Sequence, residues 1–266
     1  MLLAFKSCGV CRYCRRGQEN LCGDTVHLGH SAGWGEMDFY PGGMAEFCPI
    51  WSEMAYPLPE AISYEEGTFL DGLGVAVRAV TRSALKPMED VAILGVGPIG
   101  AMILQVARSF GARRIFCTEI GRRAMRTAEE LGADAVFPAN EVDVVDAVME
   151  RTDGFGVDMV FNTVGSEESQ RDGLRMLARG GRLVVLVTKS EEITFDARGL
   201  SGERTIMTSA NSLYADFQTA VDLMTSGRIR VEPLITHRFP LEQSLEAFEV
   251  ALNKDRSGAI KVILRP

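Results

Sequence analysis

The stretch Asp90-Val91-Ala92-Ile93-Leu94-Gly95-Val96-Gly97-Pro98-Ile99-Gly100 decides the fold. Its first five residues are a mostly apolar run of strand length, and its last six fit G-x-G-x-x-G. Beyond it, Ile99, Met102, Ile103, Val106, Ala107 and Phe110 recur at helical spacing until Gly111 ends the pattern. Strand, glycine turn and amphipathic helix, in that order, are the context in which this pattern binds a dinucleotide. Gly95 permits the tight turn, Gly97 lets the backbone approach a pyrophosphate, and Gly100 lets helix pack closely on strand. Pro98 suits the first helical turn, where its missing N–H has no intrahelical partner. With Ile99 it opens a helix whose free N–H groups and positive dipole end face the phosphates. Glu119 stands nineteen residues after Gly100, at the end of the next strand. A carboxylate there accepts hydrogen bonds from the adenosine ribose hydroxyls and repels a 2′-phosphate, which favours NAD over NADP. Arg122 and Arg123 act against that preference by offering a phosphate partner. A glycine turn that binds nothing is the alternative.

The alternation continues outward over 71–210. Strands are predicted at 90–94, 114–118, 135–137, 158–162 and 182–187, with helices at 99–110, 125–131 and 142–151. Gly132 closes the second of these helices. Continuous apolar strands between helices mean a parallel sheet covered on both faces, a doubly wound α/β Rossmann fold. Residues 1–70 instead carry four clustered cysteines and a Gly- and aromatic-rich stretch, with turn signals at Gly33, Gly35 and Pro41-Gly42-Gly43. Residues 43–48 read as a short strand after that turn. Residues 211–266 hold helices near 217–224 and 241–252, with strands near 233–236 and 260–264.

The chain has 266 residues and a net charge of −8, with 46% hydrophobic and 24% charged residues. That balance rules out disorder, collagen and coiled coil. It also argues against nucleic acid or an anionic membrane as partner. No apolar run reaches the ~18 residues of a membrane span. The N-terminus lacks a signal h-region, which points to the cytoplasm, where thiols stay reduced.

Cys8, Cys11, Cys14 and Cys22 form Cys-x2-Cys-x2-Cys-x7-Cys. Four thiolates saturate a tetrahedral zinc and leave no place for water, so such a site is structural. Unliganded thiols and iron–sulfur ligation are the alternatives. Cys48 and Cys117 stand alone and read as buried small hydrophobes. Asp71, ahead of Gly74-Val75-Ala76-Val77, reads as a helix N-cap or as a ligand.

These features together resemble the zinc-containing medium-chain alcohol dehydrogenases, from Ser7 to the C-terminus. Residues 8–22 are similar to that family's structural zinc lobe at every spacing. Residues 42–47 resemble the segment that re-enters its catalytic domain, and Pro233-Leu234-Ile235-Thr236-His237 the strand that returns to it. Asp71-Gly72-Leu73-Gly74-Val75-Ala76-Val77-Arg78 resembles the polyol and threonine dehydrogenase branch. The resemblance implies a Rossmann domain at 71–210. It implies a GroES-like, mostly β catalytic domain, here incomplete, at 1–70, completed by 211–266. It makes Asp71 a candidate for the catalytic-zinc region, as a direct ligand or behind one. It implies hydride transfer between NAD and a secondary alcohol or polyol, in a homodimer or homotetramer.

Three departures stand out. The family's segment before the lobe, with its Cys ligand, His-Glu pair and proton-relay hydroxyl, has no counterpart here, so catalytic-zinc ligands are missing. Ala124 stands where relatives often place a ribose-contacting Arg. His27 and His30 read as loop histidines, and His237 as a strand-packing one. An NAD-dependent zinc dehydrogenase is therefore expected. The alternatives are a catalytically impaired NAD-binding short form or fragment, and a zinc-independent quinone-type reductase, against which the tetrathiolate lobe speaks.

Overall fold

The computed structural model describes residues 3–29, 32–34, 37–39, 41–187, 192–194 and 197–266. Two compact units divide it: 1–74 with 211–227 and 231–266, and 75–210 with 228–230.

In the first unit, β1 (Phe5–Lys6) pairs antiparallel with β2 (Val26–His27), and β3 (Ala32–Trp34) with β4 (Met37–Phe39). Gly33 is thus a strand residue, while Gly35 and His30 lie outside the described residues. His27 belongs to a strand and not to a loop. Residues 43–46 form bends, and 43–48 contain no strand. Met44 and Phe47 stand 65% and 87% exposed there, and a strand needs a ladder partner, which none of the described residues supplies. Helix α1 (Tyr64–Gly67) opens with a capping box between Ser63 and Glu66.

Helix α2 (Leu70–Arg82) carries Asp71 in its first turn. In the second unit, β5 (Val91–Leu94) leads into α3 (Pro98–Ser109), and β6 (Ile115–Glu119) into α4 (Arg122–Glu130). There follow β7 (Ala135–Pro138), α5 (Val144–Arg151), β8 (Val157–Asn162), α6 (Glu167–Arg175), β9 (Leu177–Val185) and β10 (Thr205–Thr208). The strands form one parallel sheet in the order β10-β9-β8-β5-β6-β7. The order reverses between β5 and β8, which makes the crevice at their C-terminal ends the ligand-binding position of such sheets. Every residue of β5 is buried, as expected of a strand covered on both faces. On one face Leu94, Phe116, Val148, Val160, Leu177 and Leu183 form a common core. Each such side chain contributes about 1.5–3 kcal/mol by leaving water.

Asp90 is not part of β5. It is 2% exposed and accepts hydrogen bonds from the guanidiniums of Arg113 and Arg114. Burial pushes its carboxyl up, but the two guanidiniums outweigh that and hold it down at about 2.

The first unit resumes with α7 (Tyr214–Thr225), then β11 (Ile235–Pro240), α8 (Ser244–Leu252), α9 (Lys254–Ser257) and β12 (Lys261–Arg265). Strands β11 and β12 pair in parallel. The return near 233–236 is a 3-10 turn at Glu232–Leu234, followed by β11. The residues 241–243 form another 3-10 turn ahead of α8. At the first of these places Pro233 lacks the N–H that a longer strand would use.

Candidate functional site

The glycine turn leaves the C-terminal end of β5 at the switch point. Gly95 has φ +84°, and a Cβ there would lie 2.8 Å from Thr163 Oγ1. A Cβ on Gly100 would lie 2.0 Å from the carbonyl oxygen of Gly95, so α3 touches the turn through backbone alone. A Cβ on Gly97 would meet nothing within 4 Å. Gly97 is the N-cap of α3 and offers no side-chain acceptor, with Pro98 in the first turn. Open space therefore lies over the first N–H groups of α3, which is what a pyrophosphate needs.

Glu119 ends β6 beside this turn. Its Oε2 accepts the Val96 N–H at 2.9 Å. Its Oε1 accepts those of Ile120 and Gly121 at 2.9 and 3.0 Å. A carboxylate has about four lone-pair positions. Three are taken, leaving one for a further donor such as a ribose hydroxyl. Arg122 and Arg123 are exposed in the first turn of α4.

Other residues at this end of the sheet escaped the sequence reading. Asn162 is fully buried, and its Oδ1 accepts the N–H groups of Val164 and Gly165 at 3.0 and 3.1 Å. Thr163 Oγ1 donates to the carbonyls of Leu94 and Gly95. A Cβ on Gly165 would lie 2.7 Å from the carbonyl oxygen of Val187, so the segments leaving β8 and β9 run against each other. Ile120, Val164 and Val187 are exposed apolar residues just beyond β6, β8 and β9. They are apolar surfaces of the kind flat rings pack on. Single exposed valines carry no periodic signal, which is why sequence reasoning passed over them.

In the other unit, the sulfurs of Cys8, Cys11, Cys14 and Cys22 all lie within 4.8 Å of one another. Cys11 and Cys14 are 3.5 Å apart, and Cys8 and Cys14 3.9 Å. Tetrahedral zinc with Zn–S near 2.3 Å separates its sulfurs by about 3.8 Å. The four positions therefore fit such an ion. Left-handed Gly9 and Gly17 turn the chain around the cluster. Backbone N–H groups already point at sulfur, Cys8 to Cys22 at 3.4 Å and Cys11 to Cys8 at 3.3 Å. The first of these draws the Cys22 thiol down to about 7. An N–H from Cys14 lowers Cys11, whereas burial raises Cys14 to about 11. The lobe is fastened through Glu19, which accepts the Tyr214 N–H at 2.8 Å at the start of α7. Cys117 is buried as expected, but Cys48 is only half-buried.

Asp71 is the second residue of α2 and not its N-cap, because the helix begins one residue earlier, at Leu70. Burial pushes its carboxyl up, against the Ala4 N–H and the charges of Lys261 and His27. Among the described residues, the cysteine set is the only group of three or more side chains placed to hold a metal ion. Asp71 belongs to no such group among the described residues. His237 stacks on Phe239 within β11, with ring centroids 6.5 Å apart.

The zinc-binding dehydrogenase family model matches residues 98–226. The protein named probable D-xylulose reductase A of Aspergillus clavatus is 33% identical over 247 residues, covering 91% of this chain and 67% of its own length. An Escherichia coli oxidoreductase of unknown specificity superposes with TM-score 0.92 at 26% identity, covering 99% of this chain and 74% of that one. A zinc-binding dehydrogenase of Sinorhizobium meliloti, solved with NADP bound, has TM-score 0.88 at 27% identity, covering 99% and 75%. No helix among the described residues is long and apolar enough to cross a membrane. A Rossmann sheet with its glycine turn, a four-cysteine lobe and these likenesses place the chain in the zinc-binding dehydrogenase family, the medium-chain alcohol and polyol dehydrogenases.

Proposed function

We propose that this chain is an NAD-dependent alcohol or polyol dehydrogenase. The observation that carries the reading is the bond from Val96 N–H to Glu119, which ties the open glycine turn to the carboxylate at the ribose position. Residues 71–210 form the dinucleotide-binding domain. Residues 1–70 and 211–266 belong to the catalytic domain. Gly95, Gly97, Pro98, Ile99 and Gly100 hold the pyrophosphate by close backbone approach and by the N-terminus of α3. Glu119 takes the ribose hydroxyl. NAD, when bound, supplies the hydride acceptor, and a catalytic zinc supplies Lewis acidity towards the alcohol oxygen. Asp71 is the candidate of this chain for the catalytic-zinc region. The substrate is a small secondary alcohol or polyol, the compartment the cytoplasm, and the assembly a homodimer or homotetramer, a state that light scattering reads directly.

NADH is expected to bind more tightly than NADPH, because Glu119 repels a 2′-phosphate. Fluorescence titration with both cofactors measures this, and Glu119→Ala should remove most of the difference. Equal or tighter NADPH binding by the unaltered chain would show that Arg122 or Arg123 dominates the carboxylate.

A structural zinc is held by Cys8, Cys11, Cys14 and Cys22. Metal analysis of the purified protein should give at least one zinc per chain, in a ligand set of sulfurs alone. Cys14→Ser should lose the metal and loosen the lobe while NADH still binds. Two zincs per chain would reveal a second ligand set, with Asp71 its first suspect.

A further inference from the structure

Glu19 is a charged residue only 8% exposed, inside the cysteine lobe between Cys14 and Cys22. It opens a 3-10 turn (Glu19–Leu21), and its carbonyl accepts the N–H of Cys22 at 3.1 Å. The loop that gathers the four sulfurs therefore sets where its backbone lies. Its side chain reaches out of the lobe, where Oε1 accepts the N–H of Tyr214, 195 residues on, at 2.8 Å. A glutamate is almost never so buried without a partner, and a buried carboxylate that loses its donor is strongly unfavourable. Tyr214 is held from the other flank of the loop as well. Ser7, directly before Cys8, shares a hydrogen bond of 3.0 Å with its hydroxyl, and Phe5 stacks on its ring with centroids 6.0 Å apart. Both ends of the cysteine loop thus grip the first residue of α7.

The start of α7 lies against the start of α2. Ser212 and Phe217 are 1% and 2% exposed. A Cβ on Gly74 would lie 3.3 Å from Ser212 Cβ and Oγ and 3.8 Å from Phe217 Cα, so the segments touch at van der Waals distance. Gly74 stands three residues after Asp71 in α2, a spacing that puts both on one face of the helix. Contacts packed this closely pass a displacement on instead of absorbing it. All of these residues belong to one compact unit.

We propose that Glu19 is a positioning residue: it transmits the order of the metal-loaded lobe to α7 and, through Ser212 and Phe217, to the turn of α2 that carries Asp71. This rests on the reading of the lobe as a structural zinc site and of Asp71 as part of the catalytic-zinc region. It gives the lobe a task beyond its own folding.

The test is amide hydrogen exchange of the whole chain, before and after chelation of zinc, for the unaltered protein, Glu19→Ala and Glu19→Gln, with zinc content measured in each. After chelation the Tyr214 amide of the unaltered chain should exchange at least roughly tenfold faster, the loss of one hydrogen bond to a charged group. The amides of Leu73 and Gly74 should speed with it, while those of Ile93 and Leu94 in β5 keep their rates. Glu19→Ala should show the same pattern with its zinc still bound. Glu19→Gln should restore most of the protection, because its amide oxygen can accept the same N–H. Unchanged exchange at Tyr214 after chelation would overturn the proposal, as would a change at Tyr214 that leaves Leu73 and Gly74 untouched. Loss of zinc from Glu19→Ala would overturn it by showing that the residue serves the lobe itself. Acceleration that extends to β5 would overturn it by showing a general disturbance. An unaltered chain without zinc would remove the structural-zinc reading and this inference with it, whereas a zinc-loaded chain indifferent to chelation would remove this inference alone.

Discussion

Gly100→Ala is expected to cost about 3 kcal/mol or more, the upper end of overpacking changes, and to abolish dinucleotide binding. The added methyl would stand 2.0 Å from the Gly95 carbonyl oxygen, and both partners are backbone, so no side chain can swing away. Relief requires α3 to leave the sheet by more than an ångström. That helix buries Ala101, Met102, Ile103, Leu104, Val106 and Ala107, whose contacts would loosen together. In a chain of this size the cost corresponds to a melting temperature lower by roughly 6–12 °C. Gly97→Ala is the control within the same turn. Its φ is −60° and its Cβ would meet nothing within 4 Å, so the fold should keep its stability to within about 0.5 kcal/mol. Its methyl would occupy the space a pyrophosphate enters, and NADH affinity should fall at least tenfold, about 1.4 kcal/mol. Thermal unfolding and NADH titration of both variants check this. Equal effects of the two alanines on stability would contradict the assignment of packing to Gly100 and ligand approach to Gly97.

The second large effect concerns turnover. Asp71→Ala is expected to lower NAD-dependent oxidation of short secondary alcohols and sorbitol at least a hundredfold, while NADH binds as before. The reason is the place proposed for Asp71 in the catalytic-zinc region, where an open site takes three protein ligands. Several kcal/mol of transition-state stabilisation depend on that ion, and each ~1.4 kcal/mol is tenfold in rate. NADH production in steady state is the measurement, beside NADH titration of the same variant. Unchanged turnover by Asp71→Ala would remove that residue from the catalytic-zinc region.

Local patterns carried much of this protein. The run 90–111 announced strand, turn and helix, because an apolar stretch, three glycines and 3.6-residue spacing each have one local cause. The cysteine spacing announced a metal lobe for the same reason: four thiols so close in sequence can be wrapped around one point by one loop. Element ends were less legible. Asp90 looked like the first residue of a strand, yet it is an anchor for Arg113 and Arg114, residues more than twenty positions away. Asp71 looked like a cap because an acid before small residues usually is one, but the helix starts ahead of it. The residues 43–48 have strand composition, yet a strand exists only where a ladder partner lies alongside.

The sequence by itself determined the dinucleotide turn, the metal lobe and the alternation that makes a parallel sheet, since these depend on neighbours within about twenty residues. Only the tertiary structure decided the strand order β10-β9-β8-β5-β6-β7, and with it which strand ends share the crevice. Glu119 meets Val96, and Thr208 lies beside Val185, through backbone pairing between segments far apart in the chain. Such pairings are chosen by the burial of whole faces and the completion of hydrogen-bond ladders. No local pattern records them.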